Sequence, residues 1–156
     1  TTNLINALIY SVFFAVLVVV SMIDFDTKEI PDRFHFIILA LGIINFVTTA
    51  PITWDAWQSR LVGFGIISLP LLLIAWITEG IGEGDAKLTA VAGFLVGPKV
   101  IIFGFLLGAI IASVYGIIYK IRNKENEIPF GPFISIGIVL GILFAEPVIN
   151  WYVNLF

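Results

Sequence analysis

The chain has 156 residues, of which 60% are hydrophobic and 12% charged, with a formal net charge of −3 and a mean hydropathy of +1.08. A soluble domain carries about 25% charged residues, so this composition excludes a soluble domain and a disordered chain. The acidic balance (pI near 4.9) also argues against a nucleic-acid binder.

The apolar runs are continuous rather than alternating, which favours spanning helices over a membrane barrel. Roughly 20 apolar residues cross about 30 Å of hydrocarbon. The first expected span is 4–23, with no basic residue before it and so no expected cleavable signal. A charged decapeptide follows at 24–33, then a second span at 34–49. The third, 61–77, contains Pro70, where a kink is expected. A glycine-rich polar stretch covers 79–87. The fourth apolar run, 88–96, is too short to cross unaided and ends at Gly97-Pro98-Lys99. The fifth span is 100–119, and a charged segment at 120–127 leads into the last, 129–149. The expected fold is therefore an all-α integral membrane protein of about six transmembrane helices, forming a single polytopic domain over 1–156.

Lys and Arg orient such a chain. The loops after spans 1, 3 and 5 hold Lys28, Arg33, Lys87, Lys120, Arg122 and Lys124, whereas the other side holds only Arg60 and Lys99. The charged loops are expected to be cytoplasmic and both termini outside. Trp54, Trp57, Trp151 and Tyr152 then form an outer aromatic belt. The small-residue stripes Gly104, Gly108, Ala112, Gly116 and Gly137, Gly141, Ala145 are expected to pack helix against helix. Asn45 is expected to bond between helices, His35 to be an interfacial polar residue, and Glu146 to be a boundary residue far from any site.

The acids concentrate at two membrane ends: Asp24, Asp26, Glu29 and Asp32 in one segment, Glu79, Glu83 and Asp85 in the other. An ionisable group at membrane depth is costly and marks a candidate site. Asp24 directly follows span 1, and Asp85 closes Gly82-Glu83-Gly84-Asp85 at the start of the short run. Two facing carboxylates can share one proton, one activating a water while the other donates to a carbonyl. The same residues leave two alternatives open: solvation of loop ends, or an oxygen-liganded Mg²⁺ or Ca²⁺ at Asp24, Asp26, Asp32, Glu83 and Asp85.

Three segments resemble the type IV prepilin and preflagellin peptidases, membrane aspartyl proteases with a GxGD motif. They are IDFDTKEIPDRF (23–34), GIGEGDAKLTAVAGFLVG (80–97) and IPFGPFISIG (128–137). The resemblance implies an aspartic endopeptidase with Asp24 and Asp85 as the catalytic pair. It implies supporting roles for Gly82, Gly84, Lys87, Pro31 and Asp32. It further implies cleavage of the short basic leader of type IV prepilins, pseudopilins or prearchaellins, with no metal and no cofactor. The setting would be the cytoplasmic face of the inner membrane, with the lipid bilayer as the surrounding partner. Many bacterial members also methylate the new amino terminus and carry an additional region with paired cysteines. This chain has no cysteine, so a peptidase-only form, or the peptidase half of a longer enzyme, is expected. Glu29, Glu79 and Glu83 are candidates for attracting the basic leader. The rival readings are a presenilin-like intramembrane protease, which shares GxGD, and a small transporter or channel with acids in a wet cavity.

Overall fold

The computed structural model describes residues 2–49, 52–78, 82–123 and 128–155. They form seven helices: α1 (Thr2–Thr27), α2 (Asp32–Thr49), α3 (Trp54–Gly65), α4 (Ser68–Thr78), α5 (Glu83–Val96), α6 (Pro98–Asn123) and α7 (Gly131–Val153). Five segments are long and apolar enough to cross a bilayer: α1, α2, the α3–α4 pair over Trp54–Ile77, the bulk of α6, and α7. Large apolar side chains cover their outer faces, among them Leu4, Phe36, Trp76 and Ile121, each more than two-thirds exposed. The chain is an all-helical integral membrane protein. The expected fourth span, α5, is the exception in length, shorter than these five among the described residues. The 14 residues of α5 extend only about 21 Å.

That short helix is instead the centre of the bundle. It packs against α2, α3, α4, α6 and α7, and ten of its residues, Asp85, Ala86 and Leu88–Leu95, are buried. A helix enclosed by protein need not match the membrane thickness, because its end groups are met by neighbours rather than lipid.

The neighbours approach closely where side chains are smallest. A Cβ on Gly93 of α5 would fall 2.0 Å from the Gly63 carbonyl oxygen of α3, so the two backbones touch at their crossing. A Cβ on Gly104 would lie 2.7 Å from the Gly137 carbonyl oxygen, and one on Gly108 2.6 Å from that of Phe133. The small-residue stripes of α6 and α7 therefore form their antiparallel seam, as the sequence suggests.

The break in the third span precedes Pro70 rather than falling on it. Helix α3 stops at Gly65 and α4 starts at Ser68, which places Pro70 in the first turn of α4. Proline has no N–H for the preceding turn and its ring crowds the carbonyl four residues back, here that of Ile66. The Ser68 hydroxyl donates to the Phe64 carbonyl across the break.

A polar cluster ties the opposite ends of α1, α2, α3 and α5 together. Asn45, one turn from the end of α2, donates to Asn6 (3.1 Å), so it does bond between helices. Thr49 donates to the same Asn6 oxygen at 2.8 Å. Arg60, which the sequence suggests only as a loop charge, lies within α3. It donates to Asn45 at 2.9 Å, to the Phe94 carbonyl at 3.0 Å and to that of Leu95. A cation on the last carbonyls of α5 satisfies acceptors that the helix leaves open and complements its dipole. Trp54, Trp57, Trp151 and Tyr152 are exposed near this same end, with Trp57 packed on Phe46 at 4.6 Å between ring centroids. Glu146 is exposed in the half of α7 remote from Gly131.

Replacing Arg60 by Met keeps the stem and removes these bonds. The variant is expected to lose about 2–4 kcal/mol of stability, since bonds to charged groups are worth roughly 1.5–3 kcal/mol each and the freed carbonyls are left buried. Thermal denaturation in detergent measures it, and an unchanged midpoint would show that Arg60 does not hold α5.

Candidate active site

Helical spacing aims the first acid inward. The buried residues of α1 are Ile9, Phe13, Leu17, Val20 and Asp24, one stripe at steps of three and four. Asp24 therefore continues the face that packs into the bundle and is 4% exposed. Asp26 is exposed, off that stripe. Helix α1 ends at Thr27, and Lys28 takes a left-handed conformation (φ 57°) that turns the chain towards α2.

Asp24 meets the start of α7. Its Oδ2 accepts the Gly131 amide at 2.9 Å, a first-turn N–H at the positive end of that helix. A Cβ on Gly131 would lie 2.7 Å from the same oxygen, so a glycine is what this contact accommodates. Gly131 stands in the third motif segment, but nothing in the sequence singles it out from its neighbours.

The second acid is placed by the glycine-rich turn. Gly82 caps α5 in an extended conformation without a side-chain bond, and the Asp85 amide donates to its carbonyl at 3.1 Å. Gly84 packs on the turn between α1 and α2, where a Cβ would meet that of Ile30 at 3.1 Å. Asp85 is 7% exposed, and its Oδ1 is buried with no hydrogen-bond partner among the described residues. It lies outside the five spanning segments. Burial pushes its carboxyl up from 3.8 to about 7, and the negative charge of nearby Asp24 pushes the same way.

Asp24 and Asp85 open onto one pocket of about 620 Å³. Its wall also includes Lys28, Glu29, Ile30, Pro31 and Asp32 on one side and Gly82, Glu83, Gly84 and Lys87 on the other. Every described residue to which the resemblance assigns a role, with Glu29 and Glu83, lines this pocket. Glu79 lies outside the described residues. Lys87 pairs with Asp32 at 3.1 Å and approaches Glu83 at 4.0 Å, joining the first turns of α2 and α5. Asp26 is not on the wall, and no three His, Cys, Asp or Glu side chains gather in metal-binding geometry among the described residues. A second, apolar pocket of about 320 Å³ shares Asp32 and Lys87 and continues between α2 and α4, past Leu39, Phe64 and Leu72.

His35 differs from its sequence reading. It is buried on the inward stripe of α2 with Ile38, Gly42 and Asn45, and its Nε2 lies 3.1 Å from the Gly84 carbonyl oxygen. The i, i+3, i+7 spacing of His35, Ile38 and Gly42 was the signal for that orientation.

With this geometry in view, the comparisons with known proteins identify the family. A family model described as "Type IV leader peptidase family" matches residues 11–117, well over half of the chain. The chain belongs to the type IV leader peptidase family. Its relatives include the protein named prepilin leader peptidase/N-methyltransferase from Bacillus subtilis (strain 168), 31% identical over 150 residues, covering 92% of this chain and 58% of that protein. The proteins of the same name from Pseudomonas aeruginosa and Aeromonas salmonicida are 30% and 28% identical, covering 88% and 89% of this chain and 50% of each relative. The chain thus spans about half the length of these relatives. No solved structure matches it. The family match contains both acids of the pocket, whereas Gly131 lies beyond its end.

The raised Asp85 carboxyl gives a sign to the pH dependence. An acid whose value is higher when folded contributes stability that is lost as pH rises through that value. Wild-type stability is expected to fall between about pH 4 and pH 7 relative to Asp85→Asn, which has no proton to lose. Parallel pH-dependent melting curves for the two proteins would refute the buried acid.

Proposed function

We propose that residues 1–156 form one polytopic aspartic endopeptidase domain in which Asp24 and Asp85 together activate a water against a peptide bond. The reading rests on one observation above all. Two carboxylates from different helices are buried at one pocket, and one of them has an unbonded oxygen and an elevated affinity for its proton.

The two environments suggest a division of labour. Asp24 accepts an amide at the positive end of α7 and carries the charge. Asp85, desolvated beside it, carries the proton. Asp24 takes a proton from water as the oxygen attacks the scissile carbonyl, while the Asp85 proton bonds to the carbonyl oxygen. The tetrahedral intermediate then collapses, its C–N bond breaks, and the amine leaves with a proton returned through the pair. No metal or covalent intermediate is needed. Gly82 has no side chain to set beside Asp85, where a Cβ would lie 3.5 Å from its Oδ2, so an extended substrate can come close to the acid.

The substrates we propose are type IV prepilin-like proteins, pseudopilins and prearchaellins included. Family membership and the relatives' names support this assignment. The setting is the inner membrane with the pocket facing the cytoplasm and both termini outside, an orientation supported by the six-to-two division of Lys and Arg. Glu29 and Glu83 are exposed at the pocket rim, and with Glu79 they would draw in a basic leader.

Asp24→Asn and Asp85→Asn are each expected to abolish cleavage of a prepilin by the membrane-inserted protein, and the double variant to be no worse than either, because the pair acts as a unit. Full turnover by one single variant would remove the assignment. Wild-type turnover is expected to decline as pH rises beyond about 7, when the pair loses its shared proton. Neutralising Glu29, Glu79 and Glu83 together is expected to lower kcat/KM with kcat nearly kept, and to flatten the salt dependence as the Debye length contracts from about 10 Å to about 3 Å between 0.1 and 1 M salt. Unchanged kcat/KM at low salt would assign these acids to surface solvation alone.

A further inference from the structure

The first turn of α5 carries Asp85, yet it has little of its own to hold it. Its cap is Gly82, which offers no side-chain bond. A glycine cap and a second glycine at 84 leave this turn with more backbone freedom than any ordinary helix start. Something outside α5 must therefore fix the direction in which Asp85 points.

Helix α2 grips this turn at two places. On the exposed side, Asp32 pairs with Lys87 at 3.1 Å. An ion pair in contact with solvent contributes little and is easily exchanged. On the buried side, the His35 Nε2 lies 3.1 Å from the Gly84 carbonyl oxygen. A carbonyl oxygen can only accept, so Nε2 carries the hydrogen and donates. The oxygen has two lone pairs, and this bond is compatible with a helical one. The other ring nitrogen, Nδ1, faces Asp32 at 3.5 Å and is buried without a hydrogen-bond partner among the described residues. The ring thus sits between the two grips, 6% exposed, on the inward stripe of α2.

We propose that His35 is a positioning residue that fixes the peptide plane joining Gly84 to Asp85, by donating from Nε2 to the Gly84 carbonyl, and so aims the Asp85 carboxyl at Asp24. The Gly84 carbonyl and the Asp85 amide belong to one rigid unit. That unit is held from one side by the His35 bond and from the other by the Asp85 amide bond to Gly82 (3.1 Å). The Cα of Asp85 is then set, and only its side-chain torsions remain free. His35 touches no reacting atom in this arrangement; it acts through Gly84. The catalytic part of the inference rests on the aspartic-peptidase reading above, whereas the positioning itself does not.

The test uses the whole chain with three substitutions and two readouts. His35→Leu removes the donor, His35→Gln keeps an N–H at similar reach, and His35→Asn keeps the amide but is too short. In hydrogen–deuterium exchange of detergent-solubilised protein, amides of 82–88 are expected to exchange several-fold faster in the Leu and Asn variants than in wild type, and at near wild-type rates in Gln. With a prepilin substrate, the Leu and Asn variants are expected to lose about tenfold in kcat, the scale of one lost buried bond, with KM within about twofold, and Gln to recover most of it. Exchange over 82–88 unchanged in both Leu and Asn overturns the proposal. Should Leu exchange rapidly throughout the chain, Gln and Asn decide, and equal behaviour of those two overturns it. A loss confined to KM also overturns it, because it would place His35 in substrate binding. A wild-type protein that cleaves no prepilin defeats the peptidase reading alone, since the exchange readout still decides whether His35 holds the turn.

Discussion

Helix α5 cannot satisfy both of its ends within a bilayer. At 14 residues it is about 9 Å short of the hydrocarbon thickness. Hydrocarbon offers no partner to an open carbonyl or amide, so protein must surround the helix entirely. The arrangement of the other helices answers that demand. Five of them enclose α5, and the enclosure is close because glycines stand at the crossings, Gly63 against Gly93 and Gly42 against Phe94 and Leu95.

Each end of α5 then receives a polar partner from a neighbouring span. At the carboxyl end the partner is the Arg60 guanidinium, on the carbonyls of Phe94 and Leu95. At the amino end the partners are His35 on Gly84 and Asp32 on Lys87. The result is a polar group at each pole of a helix otherwise packed among apolar side chains. This is also why an acid can occupy its first turn. A carboxyl at that position is neither in lipid nor freely in water, and burial beside Asp24 keeps its proton on to about pH 7. The short helix and the altered acid are one physical fact seen from two sides.

The two pockets extend that logic to the surface. The polar one is bounded by charged loop residues and opens over the acids, while the apolar one runs down between α2 and α4 where the third span is broken ahead of Pro70. Asp32 and Lys87 form the shared wall. A chain that is charged at one end and apolar at the other would find both kinds of surface within reach of one pair of carboxylates.

Much of this was legible in the residues themselves. Long uncharged runs must be helices in lipid, so the spanning helices follow from length and hydropathy, and the small-residue stripes of α6 and α7 predict their seam. The motif segments place Asp24, Asp85 and their glycines, because one helical face and one tight turn are local matters. The sequence could not show what depends on distant segments meeting. Arg60 reads as a loop charge until α3 lies beside the end of α5. His35 reads as an interfacial polar residue until α2 lies beside Gly84, and nothing singles Gly131 out within the last span until α7 begins against Asp24. Composition and periodicity determine which face of each helix is apolar and therefore that a bundle forms. Which polar atoms meet across 35, 49 or 107 residues of chain is decided only when the helices pack, because a hydrogen bond depends on ångström-scale positions that no local pattern encodes.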